Sequence, residues 1–535
     1  MIKKWIRRIG IVVVLAGFIV NPTFADTHNY TDVSSNHWAY PTISTLVEAE
    51  IFEKSNVFGL GNAVTESDLI NWLVSIDDKV PNDFIGNIPA EKSTTKQLTR
   101  LDALKLMISL MDFGAVADQM KLSSVPFTDV TVDKGYVKMA LDFGLVSENQ
   151  NKLFRPNDLL KKEEAAVLIK NLYIKQRDSF DHLLSYYAIN SYSQAEYSSE
   201  LTEIAHGWSR LELSSDKSSV VLNTTSANNN EYRIPIGFRD ALNATEQDNL
   251  SRYLMVFVKE ENIYDTDLKK SIPLSEYILK NDSLQKKTIA EIQKVLSQQS
   301  YFSGVLIDFE SLRGNSSALN LNKFLDQLKE ALNPGKYKIA TAVHPARPNG
   351  LSYYDGYDFK HIGEVSDLVI LMAHDYYAKR LTESEMSSGL TITPLTPINE
   401  VYYAIDSILD PVTGVDQSEK VLLQLSMDTA QWKVADGKII NSTPFNPSYG
   451  AILSRIEEGA ITEYSSRYHS PSIIFRNESD NTRNIVWYEN QRSIQAKIDL
   501  AKYFGLGGIS VWRMGTIPSY KGTTLDLWHQ IMLNY

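Results

Sequence analysis

The 535-residue chain contains no cysteine, which excludes disulfides, thiolate metal sites and a cysteine nucleophile in one step. It also lacks a basic excess. With 53 Lys and Arg against 65 Asp and Glu, the formal net charge is −12, which disfavours nucleic acid as a partner, since that needs a basic face to displace counterions. Beyond the first 20 or so residues, no apolar run is long enough to cross a bilayer. A disulfide-free chain must therefore be held together by core burial. Its 43% hydrophobic content supplies that, and its length exceeds what one core usually fills, so two or more domains are expected.

What is present begins with a targeting signal. Lys3, Lys4, Arg7 and Arg8 precede an apolar run from Ile9 to Val20, and Thr23-Phe24-Ala25 then places small residues at the cleavage positions. This pattern predicts a secretory signal peptide over residues 1–25, cut before Asp26. The alternative is a membrane anchor, for which the run is short. The mature protein is thus expected to be secreted, and free of the membrane.

Residues 26–175 carry a diverged repeat. Tyr30-Thr31-Asp32-Val33 returns as Phe127-Thr128-Asp129-Val130, each followed by an apolar helical pattern, a turn and a second helix. The spacing implies a third copy between them, marked by Leu98-Thr99-Arg100-Leu101-Asp102-Ala103. These residues resemble the S-layer homology module, an all-α repeat that usually comes in threes and holds proteins on the secondary polysaccharide of the cell wall. Under that resemblance, Asp32, Trp38 and Arg100 match positions that contribute to wall binding. A structural reading stands beside each: Asp32 as a helix-entry cap, Trp38 as core, Arg100 as a solvated charge. His37-Trp38-Ala39 occurs in the first copy alone, and the arginine position holds Glu66, Arg100 and Lys162 in turn.

Residues 176–535 alternate apolar strands with amphipathic helices, the sign of a parallel α/β sheet. Candidate strands are Leu183–Ile189, a segment introduced by Ala205-His206-Gly207-Trp208, Leu254–Val258, Ser303–Glu310, Tyr337–Val343, Asp367–Met372, Val421–Leu425 and Gly508–Trp512. Eight strands are what a closed (β/α)8 barrel of the TIM type requires. The polar, Ser- and Asn-rich stretch at about 433–480 reads as an insertion after the seventh strand, and the Asn/Ser-rich stretch 222–231 has no assignable role.

The fourth strand carries the chemistry. In Ser303-Gly304-Val305-Leu306-Ile307-Asp308-Phe309-Glu310 two carboxylates sit on one face, about 6–7 Å apart along the strand, at the end where such barrels build active sites. Burying two acids on an apolar strand is costly without a purpose. Cleaving a glycosidic bond needs a carboxylic acid kept protonated, and repulsion from Asp308 is expected to raise Glu310, making Glu310 the acid. An ion-paired strand end is the plainer reading.

Gly304-x-x-Ile307-Asp308-Phe309-Glu310 resembles the fourth-strand signature of glycoside hydrolase family 18. Met372-Ala373-His374-Asp375 resembles its sixth-strand motif and Trp512 its eighth-strand tryptophan, while Val486–Lys497 and Gly507–Gly515 look like the branch of spore-germination, peptidoglycan-active N-acetylglucosaminidases. The resemblance implies a substrate-assisted retaining mechanism. Glu310 would protonate the leaving oxygen, Asp308 would orient the 2-acetamido group that attacks the anomeric carbon, and Asp375 would support it. Trp512 would floor the sugar ring, and Met372 would pack. The family's two further aspartates are replaced by Ser303 and Leu306, and its acetamido-contacting tyrosine by His374. An imidazole N–H could donate instead, or Tyr376 could take the place. No cofactor is required, and a metal at His374 is a poor reading without His-x-x-x-His spacing nearby.

The expectation is a monomeric, wall-attached glycosidase cutting β-1,4 bonds of an N-acetylglucosamine-containing polysaccharide such as peptidoglycan. Its alternatives are a chitinase acting on exogenous chitin and a non-catalytic glycan-binding wall protein.

Overall fold

The structure, a computed structural model, describes residues 30–535 apart from 82, 87, 121–123, 189, 247–249, 349–352 and 390–393. The signal-peptide segment 1–25 and Ile189, the expected last residue of the first strand, lie outside the described residues.

The N-terminal part is helical: α1 (Tyr40–Glu48), α2 (Glu66–Asp77), α3 (Arg100–Leu110), α4 (Gly114–Gln119), α5 (Lys134–Asp142) and α6 (Lys162–Arg177). Three short extended segments at its centre reveal the threefold repeat. The Val64 N–H donates to the Leu160 carbonyl, Leu98 to Val64, and Leu160 to Leu98, at 2.8, 3.0 and 3.0 Å. This closed ring buries one apolar residue from each copy and launches α2, α3 and α6 from equivalent places. Thr65 and Thr99 cap two of those helices by accepting from the N–H of Asp68 and Asp102, satisfying donors that the first turn leaves open.

The barrel strands are β1 (His182–Tyr187), β2 (Glu203–His206), β3 (Ser251–Val258), β4 (Gly304–Asp308), β5 (Lys338–Val343), β6 (Leu368–Leu371), β7 (Val421–Ser426) and β8 (Gly508–Trp512). All neighbouring pairs are parallel, and pairing of β2 with β3 closes the circle. The second strand thus lies just ahead of the segment expected from Ala205–Trp208, and Trp208 packs in the core beyond its end. The backbones approach closely where glycine permits: a Cβ on Gly304 would lie 2.4 Å from the Lys338 carbonyl oxygen, and one on Gly508 1.9 Å from that of His182. The Asn/Ser-rich stretch begins inside a short hairpin, Arg210–Leu213 with Val220–Asn223, added beside β3.

The residues after β7 form a folded subdomain and not a polar loop. Strands at 430–435, 438–439, 461–465, 470–477 and 482–487 make an antiparallel sheet, with a helix over Tyr449–Glu457. Trp432, Ile439, Ile485 and Trp487 give it a core, shared with Tyr377, Leu381 and Leu395 from the segment after β6. Its limits are wider than 433–480 because the first and last strands flank the polar stretch.

The helical repeats and the barrel share one core. Phe143 packs on Tyr503 with ring centres 4.7 Å apart, Gln176 donates to the Tyr503 hydroxyl at 2.6 Å, and Lys138 reaches Asp406 at 2.6 Å.

Candidate active site at the barrel mouth

Side-chain alternation decides what faces the barrel interior. One set of residues forms the inner cluster: Leu184 and Tyr186 on β1, Met255 and Phe257 on β3, Leu306 on β4, Ala340 and Ala342 on β5, Ile370 and Met372 at β6, Leu422 on β7. The intervening Val305, Ile307, Phe309, Val369, Leu371, Leu423 and Leu425 face the outer helices. Continuing each inward series by two toward the carboxyl end gives Asp308 then Glu310, His344, His374, Gln424 then Ser426, and Trp512. The mouth is therefore lined by polar groups carried on apolar strands, the place where this architecture puts active sites.

Asp308 is 5% exposed, and its Oδ1 is buried with no hydrogen-bond donor. Burial, and after it repulsion from Glu310 and Glu260, pushes its carboxyl well above the ordinary carboxylate range. Repulsion within the acid pair is the expectation from sequence; at Asp308 it is present, but desolvation is the larger cause because the carboxyl lies deep in the barrel. The Glu310 side chain is 36% exposed. Its backbone is fixed by two bonds: Ser275 Oγ donates to the Glu310 carbonyl at 2.7 Å, and the Tyr357 hydroxyl donates to that of Phe309 at 2.9 Å. The Nε2 of His344 lies 3.5 Å from Glu310 Oε2.

On β6 and the loop after it, His374 is held between two partners. Its Nε2 meets Gln424 Oε1 at 2.6 Å, and since that amide oxygen can only accept, Nε2 carries the proton. Its Nδ1 faces Asp375 Oδ2 at 3.5 Å. Burial works most strongly against the charged imidazole, yet Asp375, Gln424 and Asp428 together outweigh it and raise His374. Asp375 itself is buried, but His374 and Lys379, 3.1 Å away, hold it below the usual carboxylate range. Asp428, beyond β7, is pushed up to about 6 by burial and then by Asp375.

Tyr376 follows Asp375 on the loop after β6. Its ring lies under the Arg347 guanidinium at 4.9 Å, its hydroxyl is buried without a partner, and its charged neighbours are Glu400 and Arg347. Met372 belongs to the inner packing layer. Trp512 meets Tyr186 edge-on at 5.0 Å and borders a cavity of about 760 Å³ between the mouth and the inserted sheet, lined also by Gln194, Asp428, Asn446, Tyr449 and Tyr520. Of the residues replacing the family's further aspartates, Leu306 fills the barrel interior below Asp308, and the Ser303 hydroxyl sits at the opposite end, exchanging bonds with the Arg252 backbone.

The residues proposed for wall binding lie apart, in the repeats. Both Asp32 oxygens accept backbone N–H bonds, from Phe58, Gly59 and Leu60 at 2.8, 2.7 and 3.1 Å. Asp129 clamps Phe154 and Arg155 in the same way. Asp32 thus clamps the loop at Phe58–Leu60 and is not a helix cap. Arg100 is not a solvated charge: its Nε donates to the Phe154 carbonyl at 2.8 Å and its guanidinium pairs with Glu164 at 3.2 Å. Trp38 is 59% exposed and so is not core.

Sequence reasoning missed His344, Gln424 and Asp428. The period-two rule that found Glu310 would have found His344 and Asp428, had each strand been extended past its apolar run, and Gln424 within the candidate strand Val421–Leu425.

Residues 275–516 match the model of glycosyl hydrolases family 18, and residues 29–55 and 126–166 match the S-layer homology domain. The chain therefore joins S-layer homology repeats to a family 18 glycosyl hydrolase domain. Among curated proteins, the cortical fragment-lytic enzyme of Bacillus anthracis is 26% identical over 256 residues, 46% of this chain and 54% of that protein. Chitinase 1 of Aphanocladium album is 20% identical over 257 residues, 46% and 59% of the two chains. The chain spans a little over half the length of these relatives. Among solved structures, the Bacillus cereus spore cortex-lytic enzyme SleL matches with a TM-score of 0.51 at 19% identity over 67% of this chain and 76% of that one. A chitinase from Chromobacterium violaceum also gives 0.51 at 19% identity, over 66% and 98%. At this identity the likeness is one of fold.

Proposed function

We propose that the protein is a secreted, cell-surface-attached glycosidase that cleaves β-1,4 bonds of an N-acetylglucosamine-containing glycan, peptidoglycan or a related wall polymer, by substrate assistance. The observation that carries this is the inward alignment of Asp308 and Glu310 on β4, one deeply buried and one open to the cleft. Glu310 gives its proton to the leaving oxygen while the substrate's acetamido oxygen attacks the anomeric carbon. Asp308 accepts the acetamido N–H and, in a dry site, stabilises the oxazolinium as charge develops. Water activated by Glu310 then opens the oxazolinium with retention. The His374 N–H groups and Asp375 border the acetamido side, and Trp512 offers a face for the ring. The S-layer homology repeats support attachment at the cell surface.

The test is release of reducing ends from purified peptidoglycan and from chitin oligomers. Glu310→Gln should lower kcat by about 10³-fold or more, the range of general acid–base catalysis, with thermal stability unchanged. A Glu310→Gln protein as active as wild type would sink the reading. A second reading, a glycan-binding wall protein without turnover, is favoured by one observation: Leu306, Ser303 and His374 stand where the family keeps acids and a tyrosine. Calorimetric titration with oligomers, showing saturable binding and no product from pH 4 to 8, would select it.

A further inference from the structure

The acid of this site has a neighbour that neither the motifs nor the comparisons assign. β4 and β5 pair in register from Gly304 against Lys338 to Ile307 against Thr341. Carried three residues onward, the same offset sets Glu310 beside His344. The structure bears this out, with His344 Nε2 3.5 Å from Glu310 Oε2, the imidazole 8% exposed, and Nε2 buried and making no hydrogen bond among the described residues. The ring is fixed by aromatics from the loop after β5: Tyr354 at 4.5 Å, Tyr353 edge-on at 5.5 Å and Tyr357 at 6.0 Å. Tyr354 is covered in turn by the Arg313 guanidinium at 4.6 Å. Among the described residues, Glu310 is the carboxylate paired with this imidazole. A buried imidazole nitrogen facing the acid, with the ring packed among three tyrosines, is an arrangement that packing alone does not require.

Resting on the proposed reaction, we infer that His344 is a positioning residue for Glu310. Its Nε2–H holds Oε2, leaving Oε1 to carry the proton to the glycosidic oxygen, and it stabilises the carboxylate that the transfer creates. No atom is exchanged with the imidazole: the proton travels from Glu310 to the leaving sugar, and His344 keeps its own. Catalytic hydrogen bonds that are long in an empty site commonly tighten once substrate is bound, so 3.5 Å is within reach of this role. The arrangement supplies, from the adjacent strand, a polar neighbour for the acid pair in a barrel where Leu306 has replaced an acid by packing.

The experiment uses the full-length chain and two substrates with the same N-acetylglucosamine glycone. In a chitin oligomer the leaving sugar needs the proton of Glu310. In a dinitrophenyl glycoside the leaving group departs without it, so little charge develops on Glu310. His344→Ala should lower kcat/KM, which reports through the first irreversible step, by about 10-fold or more on the oligomer. KM should stay within about twofold, and the aryl glycoside should lose no more than about threefold. His344→Gln, which keeps an N–H at similar reach, should restore most of the oligomer activity. Equal losses on both substrates, an effect confined to KM, no loss at all, or His344→Gln as impaired as His344→Ala would each overturn the inference. Matching thermal melts separate it from misfolding. Inactivity of the wild type on every N-acetylglucosamine substrate would instead overturn the proposed reaction itself.

Discussion

Asp32 and Asp308 each sit near the end of a short motif in their own domain, and they are used in opposite ways. In the repeats, both Asp32 oxygens are occupied by three backbone N–H groups. Those bonds outweigh desolvation and lower its carboxyl from the ordinary value. At the barrel mouth, Asp308 keeps a buried oxygen to which nothing donates, and it is raised. The first carboxylate spends its hydrogen-bonding capacity on the fold. The second holds capacity in reserve, at a cost in stability that a purely structural residue would not be kept for. Satisfaction of the carboxylate, more than motif membership, separates the two.

The comparison breaks most sharply at Asp308. Under the proposed reaction, Asp308→Asn should lower kcat on chitin oligomers by about 10²–10³-fold, since an amide cannot ionise to face the positive charge that develops on the oxazolinium. It should leave the melting temperature unchanged or higher, because a buried group that resists ionisation becomes permanently neutral. A destabilised but active Asp308→Asn protein would place Asp308 with the structural acids. Asp32→Ala is the mirror experiment. Leaving three N–H groups without their acceptor should cost about 2–3 kcal/mol in denaturant unfolding, while turnover of a soluble oligomer by the folded protein stays the same. Because the folded carboxyl is lowered, that contribution is present at neutral pH and is lost as pH falls through the carboxylate range.

The same contrast explains what could be read from sequence. The barrel was legible because β4 to β8 are near-continuous apolar runs, as strands buried on both faces must be, and Asp308 and Glu310 stood out against them. His344 and Asp428 escaped because they follow the apolar run by one or three residues, where a strand pattern has stopped but the alternation has not. The inserted sheet was unreadable for the opposite reason. Ile461–Ser465 buries none of its residues fully, so its composition is that of a loop although its hydrogen bonding is that of a strand. Arg100 matched a binding motif, but its bond to Phe154 and its pairing with Glu164 come from the third copy, which no local pattern announces.

Where the two regions meet, a third carboxyl has an intermediate character. Asp499 on the helix Gln491–Phe504 is 5% exposed and is pushed up to about 6, first by burial, against hydrogen bonds from Gln495 and Gln176 and the charge of Lys502. Its folded value lies above the unfolded one, so its contribution is fully present below about pH 4 and is lost as pH rises through about 6. Asp499→Asn should therefore flatten the decline in stability across that window. At pH 7.5 it should stabilise the joined domains by about 1–2 kcal/mol, read from urea unfolding at pH 4.5 and 7.5. A difference of the same size at both pH values would mean that packing, and not ionisation, governs the junction.

The smallest effect belongs to Trp38, the most exposed of the three wall-binding candidates. Its ring is 59% exposed and leans on His37 at 5.6 Å, so truncation removes little from the core. Trp38→Ala should change unfolding free energy by no more than about 0.5 kcal/mol, as surface substitutions generally do. If the first repeat grips wall polysaccharide through that face, retention on purified cell wall should fall by about 3–10-fold, the loss of one exposed aromatic contact. Turnover of soluble oligomers should not move, because the ring is in the repeats and the chemistry is at the barrel mouth. Undiminished wall retention would shift attachment to another face of the repeats.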